Sequence, residues 1–154
     1  MSQSLSTEQL TAIAKEFGTP VYVYHAEKIK EQYEKLVTAF SNVDSRFFFA
    51  CKALTNVHIL NYVNQLGCGI DCSSVNEVKL ALHAGVAAEK ILYTSNGISF
   101  EEIEEVVSYG VHINIDSLSN LEKFGKPIWR YLPGRYKSAA QYSCRWQFEN
   151  LNGA

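Results

Sequence analysis

Lys52 lies in Phe47-Phe48-Phe49-Ala50-Cys51-Lys52-Ala53-Leu54, an amine set in a run of apolar residues. Desolvation by such neighbours disfavours the charged form, and the neutral amine is the form that attacks a carbonyl to make a Schiff base. The same pattern suits a lysine whose stem packs while its head reaches solvent. Asp71, in Gly69-Ile70-Asp71-Cys72, is followed by Ser73 and Ser74. A carboxylate there pairs with the Lys52 amine, or orients a proton in the site, or caps the helix that opens at Val75; Ser74 is the better cap. Asp116, ahead of Ser117, reads as a cap or turn residue. Asn96-Gly97 is a turn dipeptide whose amides are able to face an anion. His25, His58, His83 and His112 share no ligand spacing and read as surface, helix-end or strand residues. Cys68 and Cys72 have no second pair or adjacent histidine to complete four ligands, so no metal site is expected. With Cys51 and Cys144 they read as free thiols that pack as small hydrophobes.

These residues need elements to hold them. Ser6-Thr7-Glu8-Gln9 has the form of a capping box, and Leu10, Ile13 and Ala14 follow at helical spacing up to a stop at Gly18. Val21-Tyr22-Val23-Tyr24 reads as a short β-rich run. A helix from about Ala26 to Phe40 follows, with Ile29, Tyr33, Leu36, Val37 and Phe40 along one face. A regular alternation then begins. Phe47–Ala50 reads as a strand buried on both faces, followed by a helix near Val57–Gln65. Gly69–Cys72 is the next strand, then a helix from Val75 to Ala84. Ile91–Thr94 precedes a second capping box at Ser99 and a helix ending at Gly110. Val111–Ile115 precedes a helix from about Ser117 to Phe124.

Strands alternating with glycine-terminated helices imply right-handed βα units and a parallel sheet, either doubly wound or a (β/α)8 barrel. The nearly constant spacing of the strand starts, at 47, 69, 91 and 111, favours the barrel. About four βα units make half of one, so the chain is expected to be a partial barrel. Ligands of such sheets bind at the carboxy ends of the strands, where Lys52 and Asp71 fall.

Charge and composition exclude several classes. The net charge of -2, with no basic run, favours neither nucleic acid nor an acidic membrane as partner. No apolar stretch approaches a membrane span of about 20 residues. Met1-Ser2-Gln3-Ser4 has no basic n-region leading into a hydrophobic stretch, so a cytoplasmic location is expected.

After Lys126 the composition changes. Residues 127–154 hold both tryptophans, Trp129 and Trp146, and three arginines, Arg130, Arg135 and Arg145, with Lys137 and Glu149 as the only other charged side chains. Neither helical nor strand periodicity runs through them. The plain reading is an irregular extension; a sharper one is a shifted reading frame. Each codon's last two bases, joined to the next codon's first, permit from Ile128 onward Tyr-Gly-Asp-Thr-Tyr-Pro-Val-Gly-Ile-Arg-Val. After one variable position they permit Pro-Asn-Ile-Pro-Ala-Gly-Gly-Asn-Leu-Lys-Ile-Ser-Thr-Gly. Tryptophan has one codon, and on shifting both Trp129 and Trp146 become glycine. Residues 1–126 are therefore expected to be the barrel segment, and 127–154 an off-frame tail without a domain of its own.

Four motifs together resemble a known family. Phe17-Gly18-Thr19-Pro20-Val21-Tyr22-Val23-Tyr24 resembles the opening segment of the diaminopimelate decarboxylases. Phe49-Ala50-Cys51-Lys52-Ala53 is similar to that family's Tyr-Ala-x-Lys-Ala motif, whose lysine carries the cofactor. Gly69-Ile70-Asp71-Cys72-Ser73-Ser74 with Glu77 is similar to its Gly-x-Asp-x-x-Ser-x-x-Glu segment, and Ile113-Asn114-Ile115-Asp116-Ser117 to its Ile-Asn-Val-Asp-Ser strand end. The shifted-frame tail resembles the family's continuation. Asn76 and Ile98 depart from the pattern, where glycine and lysine are usual, which loosens the inference of subfamily.

The resemblance implies an alanine-racemase-like barrel and pyridoxal 5'-phosphate held by Lys52; Asp71, at the matching end of the second strand, is expected as the second catalytic residue. It implies a small amino-acid substrate, meso-diaminopimelate decarboxylated to lysine, and a homodimer of the full-length enzyme with active sites shared between subunits. The alternatives are an ornithine-, arginine- or carboxynorspermidine-type decarboxylase of the same fold, or a non-catalytic pyridoxal-phosphate carrier or regulatory protein. The histidine that stacks on the ring, the phosphate loop and the acidic partner of the ring nitrogen would all follow residue 126. The frame reading has a direct check in the nucleotide sequence of the locus. The decarboxylase frame is expected to resume one base over near codon 126; a stop codon in the shifted frame within residues 127–154 would make the tail native.

Overall fold

The computed structural model describes residues 5–94 and 96–125. The off-frame reading of residues 127–154 lies outside them. Two amino-terminal helices, α1 (Thr7–Phe17) and α2 (Ala26–Ala39), lead into β1 (Phe48–Ala50). Then follow α3 (Val57–Gln65), β2 (Gly69–Cys72), α4 (Val75–His83), β3 (Ile91–Thr94), α5 (Phe100–Ser108), β4 (His112–Asn114) and α6 (Leu118–Gly125). One-turn 3-10 helices occupy Cys51–Ala53, directly after β1, and Ala88–Lys90, directly before β3.

Local chemistry sets the helix starts. The Ser6 hydroxyl accepts from Gln9 N at 3.2 Å while Gln9 Oε1 accepts from Ser6 N at 2.8 Å, and Ser99 with Glu102 repeats the box ahead of α5. Asn56 caps α3 by accepting from the His58 and Ile59 amides. His25 caps α2, its Nδ1 accepting from Lys28 N at 3.2 Å. That places His25 at a helix end, as its lack of ligand spacing suggests. His58 and His83 are exposed on α3 and α4, and His112 is half-buried in β4.

The four strands form one parallel sheet in the order β1-β2-β3-β4. Chain order running straight across the sheet is the arrangement of a barrel wall; a doubly wound sheet reverses direction part-way. The register pairs Ala50 with Asp71, Cys72 with Tyr93, and Thr94 with Asn114. Side chains alternate across the sheet. Cys51, Ile70, Cys72, Ile91 and Tyr93 are fully buried against a core completed by Leu60 and Val63 of α3, Val78 and Ala81 of α4, and Val106 of α5. Burying each large aliphatic side chain contributes about 1.5–3 kcal/mol, so this layer dominates the stability of the described unit. Asn61 Nδ2 of α3 donates to Ala84 O at 2.8 Å, and Lys79 of α4 meets Glu105 of α5 at 2.7 Å, linking neighbouring helices. A second, smaller cluster joins Ile103 to Phe124 of α6.

Several expectations change. Val21–Tyr24 forms no strand; the run is a connection without regular structure whose four side chains are exposed, Tyr22 at 90%. β propensity reflects fit to a sheet, and no sheet edge among the described residues receives this segment. Leu36 and Val37 of α2, and Phe40 directly after it, are likewise exposed, and of the apolar face only Ile29 and Tyr33 pack on the main core. β1 begins at Phe48 and is half-buried throughout, not buried on both faces, because helices cover one side of the sheet only.

Gly69 explains how β1 and β2 approach. A Cβ built there would stand 2.6 Å from Phe48 Cδ1 and 2.8 Å from Lys90 O, closer than any real contact. Gly69→Ala must displace the Phe48 ring or the backbone before β3. It is expected to destabilise the chain by about 1–3 kcal/mol, read as a lower urea midpoint; an unchanged midpoint would show that the sheet yields there.

Candidate active site

The carboxy ends of the four strands gather the chemistry. β1 runs straight into the 3-10 turn Cys51–Ala53, closed by Leu54 N donating to Cys51 O at 3.0 Å, and this turn packs against β2. Cys51 is buried within it and Lys52 is exposed. The apolar enclosure expected around Lys52 is therefore not supplied by the described residues: Phe47 and Phe49 pack on the main core, while Lys52 is exposed in the turn beyond the strand. An exposed amine beyond the end of a parallel strand stands where ligands of such sheets bind.

Asp71 is half-buried in β2, one strand over, paired through its backbone with Ala50 and Leu92. Its Oδ1 accepts a hydrogen bond from the Thr94 hydroxyl at the end of β3. Asp71 is not a helix cap. Ser74 has that place, its hydroxyl accepting from Glu77 N at 3.3 Å. Glu77 folds back in turn, its Oε2 accepting from Ser73 N at 2.7 Å and from the Ser73 hydroxyl at 3.1 Å, which braces the loop after Asp71.

Asp116 is not a helix cap either. Its Oδ2 accepts from Gly97 N at 3.2 Å, clamping the β3–α5 loop to the end of β4, while Ser117 caps α6 by accepting from Asn120 N at 3.3 Å. Gly97 has φ +67°, a conformation that favours glycine, so its amide faces the carboxylate without strain. An amide engaged by Asp116 is occupied, and the anion-facing role considered for Asn96-Gly97 falls to a carboxylate of the chain itself. Of the two departures from the family pattern, Asn76 is exposed on α4, and Ile98 packs against both hydrophobic clusters while its carbonyl accepts from Asn120 Nδ2 at 3.3 Å.

Sequence reasoning missed Thr94. Its signal was a hydroxyl at the end of the strand beside Asp71, and only the strand register turns that into a contact. The structure brings Asp71 and Thr94 together and places Lys52 two residues beyond Ala50, the backbone partner of Asp71.

Cys51, Cys68 and Cys72 are free and buried. Burial pushes the thiols of all three above their ordinary range, and Cys72 most of all; the neighbouring Cys51, with which it shares a hydrogen bond, adds to its shift. Cys68 Sγ donates to Phe47 O at 3.3 Å. The thiols line the core beneath the site.

Taken together, a wall of parallel βα units in straight chain order, with an amine beyond its first strand, is the layout of one side of a (β/α) barrel, whose ligands bind at the strand ends. The comparisons agree. Residues 26–130 match the family model of the pyridoxal-dependent decarboxylases, pyridoxal binding domain, and the chain belongs to this family. It is 43% identical over 111 residues to the diaminopimelate decarboxylase of Methanothermobacter thermautotrophicus, a match covering 71% of this chain and 26% of that one. Among solved structures, the diaminopimelate decarboxylase of M. jannaschii in complex with L-lysine superposes with a TM-score of 0.67 at 32% identity, over 73% of this chain and 28% of that one. The lysine/ornithine decarboxylase of Vibrio vulnificus complexed with putrescine superposes with a TM-score of 0.69 at 26% identity, over 79% and 34%. The chain thus spans about a quarter of the length of the curated relatives it matches. Among the described residues no helix is long and apolar enough to cross a membrane.

The buried thiols have a pH consequence. The folded state holds these protons above the ordinary thiol pKa of about 8.5, whereas the unfolded chain releases them, so folding stability falls as pH rises past that value. The urea midpoint is expected to decline between about pH 8 and 10, and Cys72→Ala to flatten the decline. An equally steep profile in the variant would remove Cys72 as its source.

Proposed function

We propose that this chain is the amino-terminal barrel segment of a pyridoxal-phosphate-dependent decarboxylase acting on meso-diaminopimelate to leave lysine. The observation that carries the reading is Lys52: an exposed amine just past the end of the first strand, one strand from a carboxylate that accepts a hydrogen bond from a neighbouring hydroxyl. The described residues fit the aldehyde end of the cofactor. Lys52 would hold it covalently, and the Asp71 carboxylate would receive and return the proton that the amine must lose and regain. When bound, pyridoxal phosphate supplies a sink for the electron pair left as carbon dioxide departs.

The chain's own residues prepare this edge. The Ser73–Glu77 bonds hold the loop beyond Asp71, and the Gly97–Asp116 clamp holds the loop beyond β3. Both keep the strand ends open to a ligand while fixing the backbone around them. The choice of substrate is supported by the name of the relative at 43% identity and by the L-lysine complex of a structural neighbour. An ornithine-type substrate is the second reading, supported by the Vibrio vulnificus enzyme at lower identity.

Residues 1–126 form the barrel segment in this reading, and 127–154 an off-frame tail; the family match, which ends at residue 130, supports that division. The complete enzyme is a cytoplasmic homodimer that takes a small amino acid and neither nucleic acid nor membrane. The quarter-length chain alone lacks the rest of the barrel and is inactive.

Incubation with pyridoxal phosphate, borohydride reduction and peptide mapping test the assignment. The pyridoxyl label is expected on Lys52, with no carbon dioxide released from meso-diaminopimelate by the chain alone. A label confined to other lysines would overturn the site, and turnover by this chain would overturn the reading of it as an incomplete enzyme.

A further inference from the structure

The contact between Thr94 and Asp71 is a side-chain bond that the backbone ladder does not require. Asp71 is already paired through its backbone with Ala50 and Leu92, and Thr94 with Asn114. The hydroxyl therefore reaches diagonally across the sheet to Asp71 Oδ1, between two half-buried residues. An ionised carboxylate only accepts, and it offers two oxygens. Among the described residues the bond given to Asp71 goes to Oδ1, which leaves Oδ2 available at the strand-end edge. Threonine suits this task because its branched Cβ makes χ1 stiff, so the hydroxyl is placed before the bond forms.

We propose that Thr94 is a positioning residue of the site: by donating to Oδ1 it holds the Asp71 carboxylate in one orientation, with Oδ2 as the proton acceptor serving the Lys52 amine. The proposal rests on the reading of Lys52 and Asp71 given above. Thr94 touches neither cofactor nor substrate in this account; it acts through Asp71. Valine at the same place would keep the shape and lose the donor, and serine would keep the donor with a looser χ1.

The test uses the 154-residue chain with limiting pyridoxal phosphate. The lysine amine and the aldehyde condense with loss of one water, and borohydride then delivers hydride to the new carbon–nitrogen double bond, leaving a stable secondary amine for mapping. The initial rate of labelling at Lys52 is compared with that at the exposed Lys90 in the same sample. Asp71→Asn is expected to lower the ratio about a hundredfold, the lower end of what a positioned acid–base group contributes. Thr94→Val should lower it by about threefold or more and add nothing in the Asp71→Asn background, the mark of two residues acting as a unit. Thr94→Ser should restore most of the rate, which a purely packing role would not predict. Circular dichroism checks that each variant is folded, and Thr94→Ala replaces the valine variant if that one is not.

Each other outcome overturns something definite. Thr94→Val at the unsubstituted rate, Asp71→Asn without effect, or a threonine effect that persists undiminished beside Asp71→Asn would each sink the positioning role while leaving Lys52 as the cofactor lysine. Failure of Lys52 to label in the unsubstituted chain would sink both.

Discussion

Parallel pairing is the constraint on which the rest of this structure depends. Strands that run the same way must each be followed by a crossover, so helices alternate with strands and every strand ends at the same edge of the sheet. The ladder linking Ala50 to Asp71, Cys72 to Tyr93 and Thr94 to Asn114 places residues far apart in sequence within side-chain reach. Lys52, Asp71 and Thr94 all stand at strand ends or in the 3-10 turn directly beyond one, and none of the three lies within an α-helix. Helices α3 to α5 contribute by covering one face, which fixes the sheet and leaves the other face and the edge for chemistry.

The two faces follow different rules. On the covered face Cys72, Ile70, Ile91 and Tyr93 lose all contact with solvent, and even the cysteines behave as hydrophobes whose protons are held by burial. On the other, Asp71 and Thr94 keep partial exposure and satisfy each other. A single strand such as β2 thus alternates packing and polar residues, and its period of two separates the structural task from the chemical one.

Much of the fold was legible because it was locally encoded. The two capping boxes, the glycine stops and the apolar strands placed most elements to within a residue or two of where they fold, and the motif around Lys52 pointed to the family. What was not legible depended on partners distant in sequence. The β-rich run Val21–Tyr24 satisfied every local criterion for a strand yet found no edge among the described residues. Lys52 looked enclosed because its neighbours in the chain are apolar, but the 3-10 turn separates its environment from theirs. Thr94 and the Asp116 clamp to Gly97 needed the register itself, since nothing local distinguishes a hydroxyl that bonds across a sheet from one that faces water.

The straight strand order β1-β2-β3-β4 also bears on how such a wall is made. Each strand pairs with the one synthesised just before it, so every addition closes only a single βα loop of modest length, and the entropic cost of closure grows slowly with loop length. A nascent chain leaving the ribosome can therefore dock each unit as it emerges, without waiting for a distant segment. A doubly wound sheet denies this to its interior strands, some of whose neighbours arrive much later. For this wall the strand order permits vectorial assembly, with the newest strand always at the growing edge.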